Sequence, residues 1–300
     1  MSRYFLIFSS IFMSFFIGCD TPKNNTRTIY LTQIVEHPAL NRTRDGIIDG
    51  LKKEGYNIQK IKSANGEILL AIQIAKQFMA DKPDAIIALG TPSAQAFLKT
   101  NTPVFFSSIT DPVAAGLMKN TNISGASNYI PLEPQLKFYK QVYPKLKKLG
   151  TLYRLGEMNS IALNEKLAKI APKMGIEFKA VGIYQSQELA QAAKQLCMDV
   201  DAILITNDNL ALSGFKTIVK IANQYKIPVF VSDTDILDQG AIASYGPNQY
   251  ELGLKTAELI VSYFKTGKMP EIYYPESGTQ VANYQQAQLL GIALPEKAVR

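Results

Sequence analysis

The sequence has no tryptophan, one histidine and only two cysteines among its 300 residues. A zinc site usually takes four ligands, drawn mostly from cysteine and histidine, and this chain has too few of both, so a zinc enzyme is excluded. The chain also contains no Gly-x-Ser-x-Gly, no His-Glu-x-x-His and no P-loop sequence. These absences argue against the common serine hydrolases, metalloproteases and nucleotide-hydrolysing enzymes.

Positive charge is in slight excess but nowhere concentrated. Lys and Arg total 32 against 25 Asp and Glu, which gives a formal net charge of +7. The densest basic cluster is Lys145, Lys147 and Lys148, which is typical of a solvated helix end. No nucleic-acid partner is therefore expected. The composition, with 47% hydrophobic and 19% charged residues, is globular, and the length suffices for two domains.

An apolar run occupies the N-terminus. It covers residues 4–17, which is short for a bilayer span but typical of a signal peptide, and it ends in Gly18-Cys19. This pattern resembles a bacterial lipobox, in which the cysteine is acylated and becomes the mature N-terminus. The sequence departs from the usual pattern at Phe16, where leucine is common. The alternative is a secretory signal whose cysteine is incidental.

The N-terminal pattern predicts how the mature protein is held. We expect a lipoprotein signal peptide at residues 1–18, lipid (palmitate) on Cys19 as a membrane anchor, and a flexible tether at residues 19–27. This prediction implies a soluble domain outside the cytoplasm. If Cys19 carries lipid, an intramolecular disulfide is excluded, and Cys197 is interpreted as a small core residue.

Short β-rich runs alternate with helical patterns from residue 28 onward. Examples are residues 28–35 (TIYLTQIV), followed by an amphipathic helix at 38–53, and residues 84–89 (DAIIAL), followed by a short helix at 92–99, and residues 210–225 are expected to form one helix. The alternation predicts an α/β fold with two doubly wound parallel-sheet lobes joined by a hinge of several strands. The expected boundaries are 28–128 for lobe 1, with 249–278 returning to it, and 129–248 for lobe 2, with 283–300 returning to it. The alternative is one large α/β domain.

Polar residues recur where the predicted strands end. Ligands of open parallel sheets sit outside the carboxyl ends of the strands, so the pattern predicts a polar cleft. The candidate ligand-binding residues are Glu36, His37, Thr91, Ser93, Thr110, Asp111, Asn159, Ser160, Asp208, Asp233 and Tyr245.

The candidate residues suggest a zwitterionic ligand. Thr91 before Pro92 resembles a helix N-cap, whose free amides suit a carboxylate, while Asp208 and Asp233 suit an ammonium group. Each residue also has a structural interpretation: Thr91, Ser160 and Asp208 as helix caps, His37 as a turn residue and Asp233 as an Asx-turn residue.

Several segments resemble one known family in their order and spacing. They are residues 33–40 (QIVEHPAL), 110–113 (TDPV), 206–209 (TNDN), 232–235 (SDTD) and 245–253 (YGPNQYELG). The family is that of ABC-transporter substrate-binding proteins typified by tryptophan- and tyrosine-binding lipoproteins, and the resemblance covers about residues 28–292. It implies a two-lobed periplasmic-binding-protein fold of the first type that delivers a small solute to a permease driven by a cytoplasmic ATPase.

The resemblance also implies ligand contacts, from the candidate residues other than Tyr245, and it has two departures. Arg154 stands where family members usually have a small or amide residue, and Met158 stands where they have alanine. Either side chain would change the size and charge of the pocket if it entered the cleft.

The sequence therefore predicts a solute-binding lipoprotein of an ABC importer. Its expected ligand is an aromatic or large apolar L-amino acid, and its expected partners are the permease and its ATPase. We expect a monomer without cofactor, metal or enzymatic activity. The alternatives are a sensory module that reports the same solute to a membrane receptor, and an envelope enzyme.

Overall fold

The computed structural model describes residues 27–295. The predicted signal peptide and the proposed lipid site at Cys19 lie outside the described residues. Among residues 27–295, no helix is long and apolar enough to cross a membrane.

The first lobe is built on a five-stranded parallel sheet in the order β2-β1-β3-β4-β5. Its strands are β1 (Ile29–Gln33), β2 (Ile58–Ser63), β3 (Ala85–Leu89), β4 (Val104–Ser107) and β5 (Ile123–Ala126). Its helices are α1 (Pro38–Lys53), α2 (Ile68–Asp81) and α3 (Thr91–Gln95). Every residue of β3 is buried, as expected for a central parallel strand covered on both faces.

The second lobe is built on a six-stranded sheet in the order β11-β10-β9-β8-β6-β7. Its strands are β6 (Lys148–Arg154), β7 (Glu177–Ile183), β8 (Ala202–Ile205), β9 (Val229–Val231), β10 (Ala243–Gly246) and β11 (Thr279–Ala282). All neighbouring strands are parallel except β10 and β11. Its helices are α4 (Leu132–Val142), α5 (Met158–Ile170), α6 (Leu189–Cys197), α7 (Asn209–Ser213), α8 (Phe215–Gln224) and α10 (Tyr284–Leu290).

The helix expected at residues 210–225 is two helices, because the chain breaks at Gly214. A Cβ at this position would lie 2.2 Å from Leu189 Cδ1, so a larger residue there would require the Leu189 side chain to shift. The prediction of Cys197 as a core residue agrees with its place in the apolar core of the second lobe. Burial raises the pKa of its thiol to about 11, which keeps it protonated and unreactive.

Helix α9 (Gln249–Thr266) follows the second-lobe strand β10 but packs on the first lobe against α1. Two glycines allow this close approach: a Cβ at Gly46 would lie 2.2 Å from the Tyr250 carbonyl oxygen, and one at Gly253 would lie 2.2 Å from the Thr43 carbonyl oxygen. The start of α9 is fixed by Asn248, whose side chain accepts a hydrogen bond from the Glu251 amide. The first residue of α9 is thereby held at the junction of the two lobes.

The chain passes between the lobes three times: from β5 to α4, from β10 to α9, and from α9 to β11. The last segment joins the edge of the first sheet on its way, since the Ser127 amide donates to the Tyr273 carbonyl over 2.8 Å and the Tyr273 amide donates to the Gly125 carbonyl over 2.9 Å. The predicted architecture of two α/β lobes with mostly parallel sheets is confirmed.

Candidate functional site

Polar side chains that follow strands of the two sheets meet in the cleft between the lobes. His37 Nε2 lies 3.3 Å from Asn209 Oδ1, and Asn207 Nδ2 donates to Thr110 Oγ1 over 3.4 Å. His37 and Thr110 follow first-lobe strands, whereas Asn207 and Asn209 follow β8 in the second lobe. The carboxyl ends of the two sheets therefore face each other, and the lobes are in contact.

Two cationic side chains bridge the lobes farther out. Lys166 on α5 forms an ion pair with Asp111 at 2.8 Å. Arg154, at the end of β6, donates from its guanidinium to the Gly66 carbonyl oxygen over 2.7 Å. Arg154 also lines a cavity of about 170 Å³ at the mouth of the cleft. Met158, the second departure from the family pattern, is 42% exposed at the start of α5.

A third connection runs through Gln249, the first residue of α9. Its amide nitrogen donates to Asp233 Oδ2 over 3.0 Å, and its amide oxygen accepts from Thr43 Oγ1 over 3.0 Å and from Ser108 Oγ over 3.2 Å. Asp233 Oδ1 accepts from the Asp235 amide, so the Asx turn expected from the sequence is present. Burial, and next the Asp235 carboxylate, raise the pKa of Asp233 to about 7.

His37 is buried and neutral. Its Nδ1 accepts a hydrogen bond from the Leu40 amide and so caps α1, which leaves Nε2 to carry the proton and donate to Asn209 Oδ1. Burial lowers the pKa of His37 to about 4, and the hydrogen bond to Asn209 offsets this only in part. The side chain is thus both a helix cap and a contact between the lobes.

Glu157, which was not among the candidate residues, lies in the same chain of hydrogen bonds. It is fully buried, and its Oε2 accepts from Asn209 Nδ2 over 2.8 Å. Its Oε1 has no hydrogen-bond partner among the described residues. Burial, and next the Asp208 carboxylate, raise the pKa of Glu157 to about 8.

Asp208 is also fully buried, but both of its oxygens have partners. Oδ2 accepts from the Arg154 amide over 2.6 Å, and Oδ1 accepts from the Ala211 amide over 2.8 Å, which caps α7. Burial raises the pKa of Asp208, and these two backbone amides oppose that shift. The capping role suggested by the sequence is present.

Other buried polar side chains near the lobe interface have no hydrogen-bond partner among the described residues. In the first lobe they are the hydroxyls of Thr91 and Ser93, and in the second lobe they are the amide oxygens of Asn159 and Asn207. Buried polar atoms are normally hydrogen-bonded, so unpartnered atoms on both sides of a cleft are typical of a binding site.

The start of α3 differs from the expectation that Thr91 is its N-cap. The N-cap is Gly90, with a φ of 83° that glycine adopts without strain, and Thr91 is the first helical residue. The position of Gly90 also brings the lobes together, since a Cβ there would lie 3.5 Å from Asn209 Oδ1.

The side chains of two candidate residues form no hydrogen bond with this polar cluster. Glu36 is exposed and forms an ion pair with Arg44 at 3.1 Å. Tyr245 is buried, with its ring 6.1 Å from that of Phe138. Tyr245 borders a cavity of about 10 Å³ between the lobes. The cavity is lined by Thr110, Asn128, Ile130, Leu132, Gln135, Leu163, Asn207, Ser232 and Tyr245.

Among residues 27–295, no three or more His, Cys, Asp or Glu side chains are grouped so that they could hold a metal ion.

The chain is similar to several known proteins. A tyrosine-binding protein of Clostridioides difficile (strain R20291) is 33% identical over 264 residues, which cover 84% of this chain and 76% of that protein. The crystal structure of an ABC domain in complex with L-Trp from Streptococcus pneumonia has a TM-score of 0.87 at 30% identity and covers 91% of this chain and 97% of that one. The ligand-free, open structure of a substrate-binding protein with adhesive properties from Clostridium difficile has a TM-score of 0.67 at 33% identity. This match covers 90% of this chain and 96% of that one.

The two solved structures differ little in identity to this chain but differ in TM-score. The higher score belongs to the complex with L-Trp and the lower to the open structure, in agreement with the hydrogen bonds that cross the cleft here. Residues 28–300 match the family model described as ABC transporter substrate binding protein. With two parallel-sheet lobes, a polar cleft between them and this match over nearly all of its length, the chain belongs to the ABC transporter substrate-binding protein family, with the type I periplasmic-binding-protein fold.

Proposed function

We propose that this protein captures an L-amino acid with an aromatic or large apolar side chain in the cleft and delivers it to the permease of an ABC importer. The observation that carries the proposal is the set of buried, unpartnered polar atoms contributed by both lobes. A ligand held between the lobes gives these atoms partners, and it does so only when the lobes are closed.

The two faces of the cleft differ in a way that suits a zwitterion. The unpartnered groups of the first lobe are hydroxyls, at Thr91 and Ser93, which donate to a carboxylate. The second lobe contributes the buried carboxyl groups of Glu157, Asp208 and Asp233, which favour an ammonium group. A ligand with one charge of each sign therefore fits across the cleft in one orientation.

The preference for an aromatic or apolar side chain has two supports. The cavity between the lobes is lined in part by Ile130, Leu132, Leu163 and Tyr245, which offer apolar surface, but at about 10 Å³ it holds at most one water, so the lobes must separate further to seat an aromatic side chain there. In addition, one relative is named a tyrosine-binding protein and another was crystallised with L-Trp.

As a substrate-binding protein of an ABC transporter, the chain works outside the cytoplasm. We propose that lipid on Cys19 anchors it to the membrane and that residues 19–27 form the tether, which leaves the two lobes free to move as a monomer. Cys19→Ser should release the protein from the membrane fraction and leave ligand affinity unchanged, as measured by fractionation and calorimetry. A variant that stays in the membrane and carries acyl chains would contradict the anchor.

Ligand identity is tested directly on the purified protein. Because the chain has no tryptophan and 15 tyrosines, bound L-tryptophan would be the only indole present, and excitation of tyrosine should produce indole emission by energy transfer. Titration calorimetry with all twenty amino acids should show binding that is tightest for aromatic or large apolar ones. If no amino acid binds, the proposed ligand class is wrong.

Transport is tested in cells. Deletion of the gene should abolish high-affinity uptake of the amino acid identified in vitro, and the full-length chain should restore it. Normal uptake with loss of a transcriptional or motile response would instead support a sensory role.

A further inference from the structure

Glu157 occupies an unusual position at the start of α5. Glu157 is fully buried. It is the N-cap residue of this helix, but its side chain forms no capping hydrogen bond. One carboxyl oxygen, Oε2, is bonded to Asn209, and the other, Oε1, is buried without a partner among residues 27–295. A buried carboxyl oxygen without a hydrogen-bond partner is costly whether or not it carries the proton of the group, which points to a partner supplied from outside the chain.

No side chain of the described residues neutralises this carboxyl group. None of the ion pairs in residues 27–295 includes Glu157. The guanidinium of Arg154, which attracts Glu157 at longer range, is hydrogen-bonded to Gly66, and His37 is buried and neutral. The charged group with the largest electrostatic effect on Glu157 is another acid, Asp208. The site therefore holds two buried acids without a paired cation.

The other two buried acids of the second lobe are less available. Asp208 uses both oxygens to accept backbone amides, and Asp233 uses one for the Asp235 amide and the other for Gln249. Glu157 alone among the three has a carboxyl oxygen with no bond.

Two further acceptors lie on the same side of the cleft. Asn159, in the first turn of α5, has an unpartnered amide oxygen, and so does Asn207. Asn159 Nδ2 donates to the Asn207 carbonyl over 2.9 Å, which holds the two residues together. An ammonium group has three N–H donors and no acceptor, so it matches a site with several acceptors and negative charge.

We propose that Glu157 receives the ammonium group of the ligand, with the amide oxygens of Asn159 and Asn207 as its neutral partners. This rests on the proposed function and deepens it, because it makes Glu157 the residue that selects α-amino acids over the corresponding acids without an amino group. Asp208 acts through Glu157: it adds negative charge beside it while remaining bonded to the backbone.

The test compares Glu157→Gln with a matched control, Glu165→Gln, which changes an exposed residue of the same helix. Glutamine has the shape of a protonated glutamate and can still accept from Asn209, so Glu157→Gln should fold. The ligands are L-tyrosine and L-tryptophan, each paired with its analogue without the amino group, 3-(4-hydroxyphenyl)propionate and indole-3-propionate. Affinities are measured by titration calorimetry, and folding by circular dichroism.

Wild-type protein should bind each amino acid about 10- to 100-fold more tightly than its analogue, the range of a charge-assisted hydrogen bond. Glu157→Gln should weaken amino-acid binding by a similar factor and should bind each analogue about as well as the wild type does. Glu165→Gln should change no affinity by more than about twofold.

The outcomes separate this proposal from the proposed function. If wild type binds amino acids and Glu157→Gln binds them equally well, the role of Glu157 is wrong and the proposed function stands. Equal binding of amino acid and analogue by wild type also overturns the role of Glu157. If wild type binds no amino acid, the proposed function itself fails. Should Glu157→Gln not fold, Glu157→Asp, which keeps the charge but shortens the side chain, should reduce the preference for the amino acid. An unchanged preference in that variant would overturn the proposal.

Discussion

The two faces of the cleft are built from the same kind of element, loops after parallel strands, but they carry different chemistry. The first-lobe face presents hydroxyls and a neutral histidine, and its acid Asp111 is paired with Lys166. The second-lobe face buries three acids, Glu157, Asp208 and Asp233, each at most 1% exposed. The difference shows that neither lobe alone is suited to both ends of a zwitterion. Selectivity for such a ligand must arise when the lobes close.

The largest effect is expected for Asp208, because this buried acid of the second-lobe face also accepts hydrogen bonds from two backbone amides. Asp208→Ala leaves the Arg154 and Ala211 amides without their buried acceptor, which should lower the free energy of unfolding by about 2–4 kcal/mol. Relief of repulsion with Glu157 offsets part of this loss. The measurement is urea denaturation without ligand.

The matched control for that variant is Asp201→Ala. Asp201 also accepts from two backbone amides, those of Lys147 and Lys148, but at an exposed end of the same sheet. Water can replace it there, so the loss should stay below about 1 kcal/mol. Equal losses for the two variants would show that burial of the acidic face does not matter for stability.

A second variant tests the charge of the acidic face. Asp233→Asn keeps the shape of the side chain, and because both oxygens of Asp233 are bonded within the chain it should weaken binding of L-tyrosine or L-tryptophan only through the loss of nearby charge, by about 1 kcal/mol. The partly exposed Asp235, two residues further on, provides the control, since Asp235→Asn should change the affinity by less than about 0.5 kcal/mol. If calorimetry shows a larger loss of affinity for Asp235→Asn than for Asp233→Asn, the charge of Asp233 does not stabilise the bound ligand.

The hydroxyl face should respond with opposite signs in binding and stability. Thr91→Val removes a buried, unpartnered hydroxyl, so it should weaken ligand binding by about 0.5–1.5 kcal/mol while leaving the ligand-free protein as stable or slightly more so. Thr151→Val removes another buried, unpartnered hydroxyl in the interior of β6 and should leave the affinity unchanged. A loss of affinity in both variants would mean that the effect is not specific to the cleft.

A further prediction concerns the pH dependence of stability. Glu157, with a pKa of about 8, and Asp233, with a pKa of about 7, hold their protons in the folded chain at pH values where the unfolded chain has lost them. The folded state therefore binds more protons, and stability falls as the pH rises towards 8. His37, with its pKa lowered to about 4, acts in the opposite sense but only below about pH 6.5.

Between pH 6.5 and 8 the carboxyl groups therefore dominate. The melting temperature of the ligand-free protein should decrease over this range, and Glu157→Gln should make the decrease smaller. A melting temperature that rises over this range, or a slope that Glu157→Gln leaves unchanged, would contradict the raised pKa values.

Much of the fold was predictable from sequence. Buried strands such as residues 85–89 are nearly pure apolar runs, and their alternation with helices requires parallel sheets. The predicted family and fold are confirmed, and with them the prediction that the chain is a solute-binding protein and not an enzyme. The break at Gly214 was missed because a single glycine within a helical pattern is compatible with a continuous helix.

The cleft was predictable only in part. Strand ends indicated the region of Thr91, Asn159 and Asp208, but Glu36, next to His37, proved to be exposed. Glu157 follows a strand end but was not chosen as a candidate, because an acid at a helix start is common on protein surfaces, and its burial beside Asn209 is not visible in the sequence. Gln249 was missed for a similar reason, since its partners Thr43 and Asp233 belong to different lobes.

The bridge from Arg154 to Gly66 affects the lifetime of any complex. The contact joins the lobes at the mouth of the cleft and involves no ligand atom, so it favours the closed form to the same extent for every solute. A closed form that is already populated raises the apparent affinity for all solutes in proportion and does not improve discrimination among them. The same contact must break before a solute can leave, which slows its escape. Residence time in this protein should therefore depend partly on a residue at the mouth, whereas the proposed ligand contacts lie deeper in the cleft.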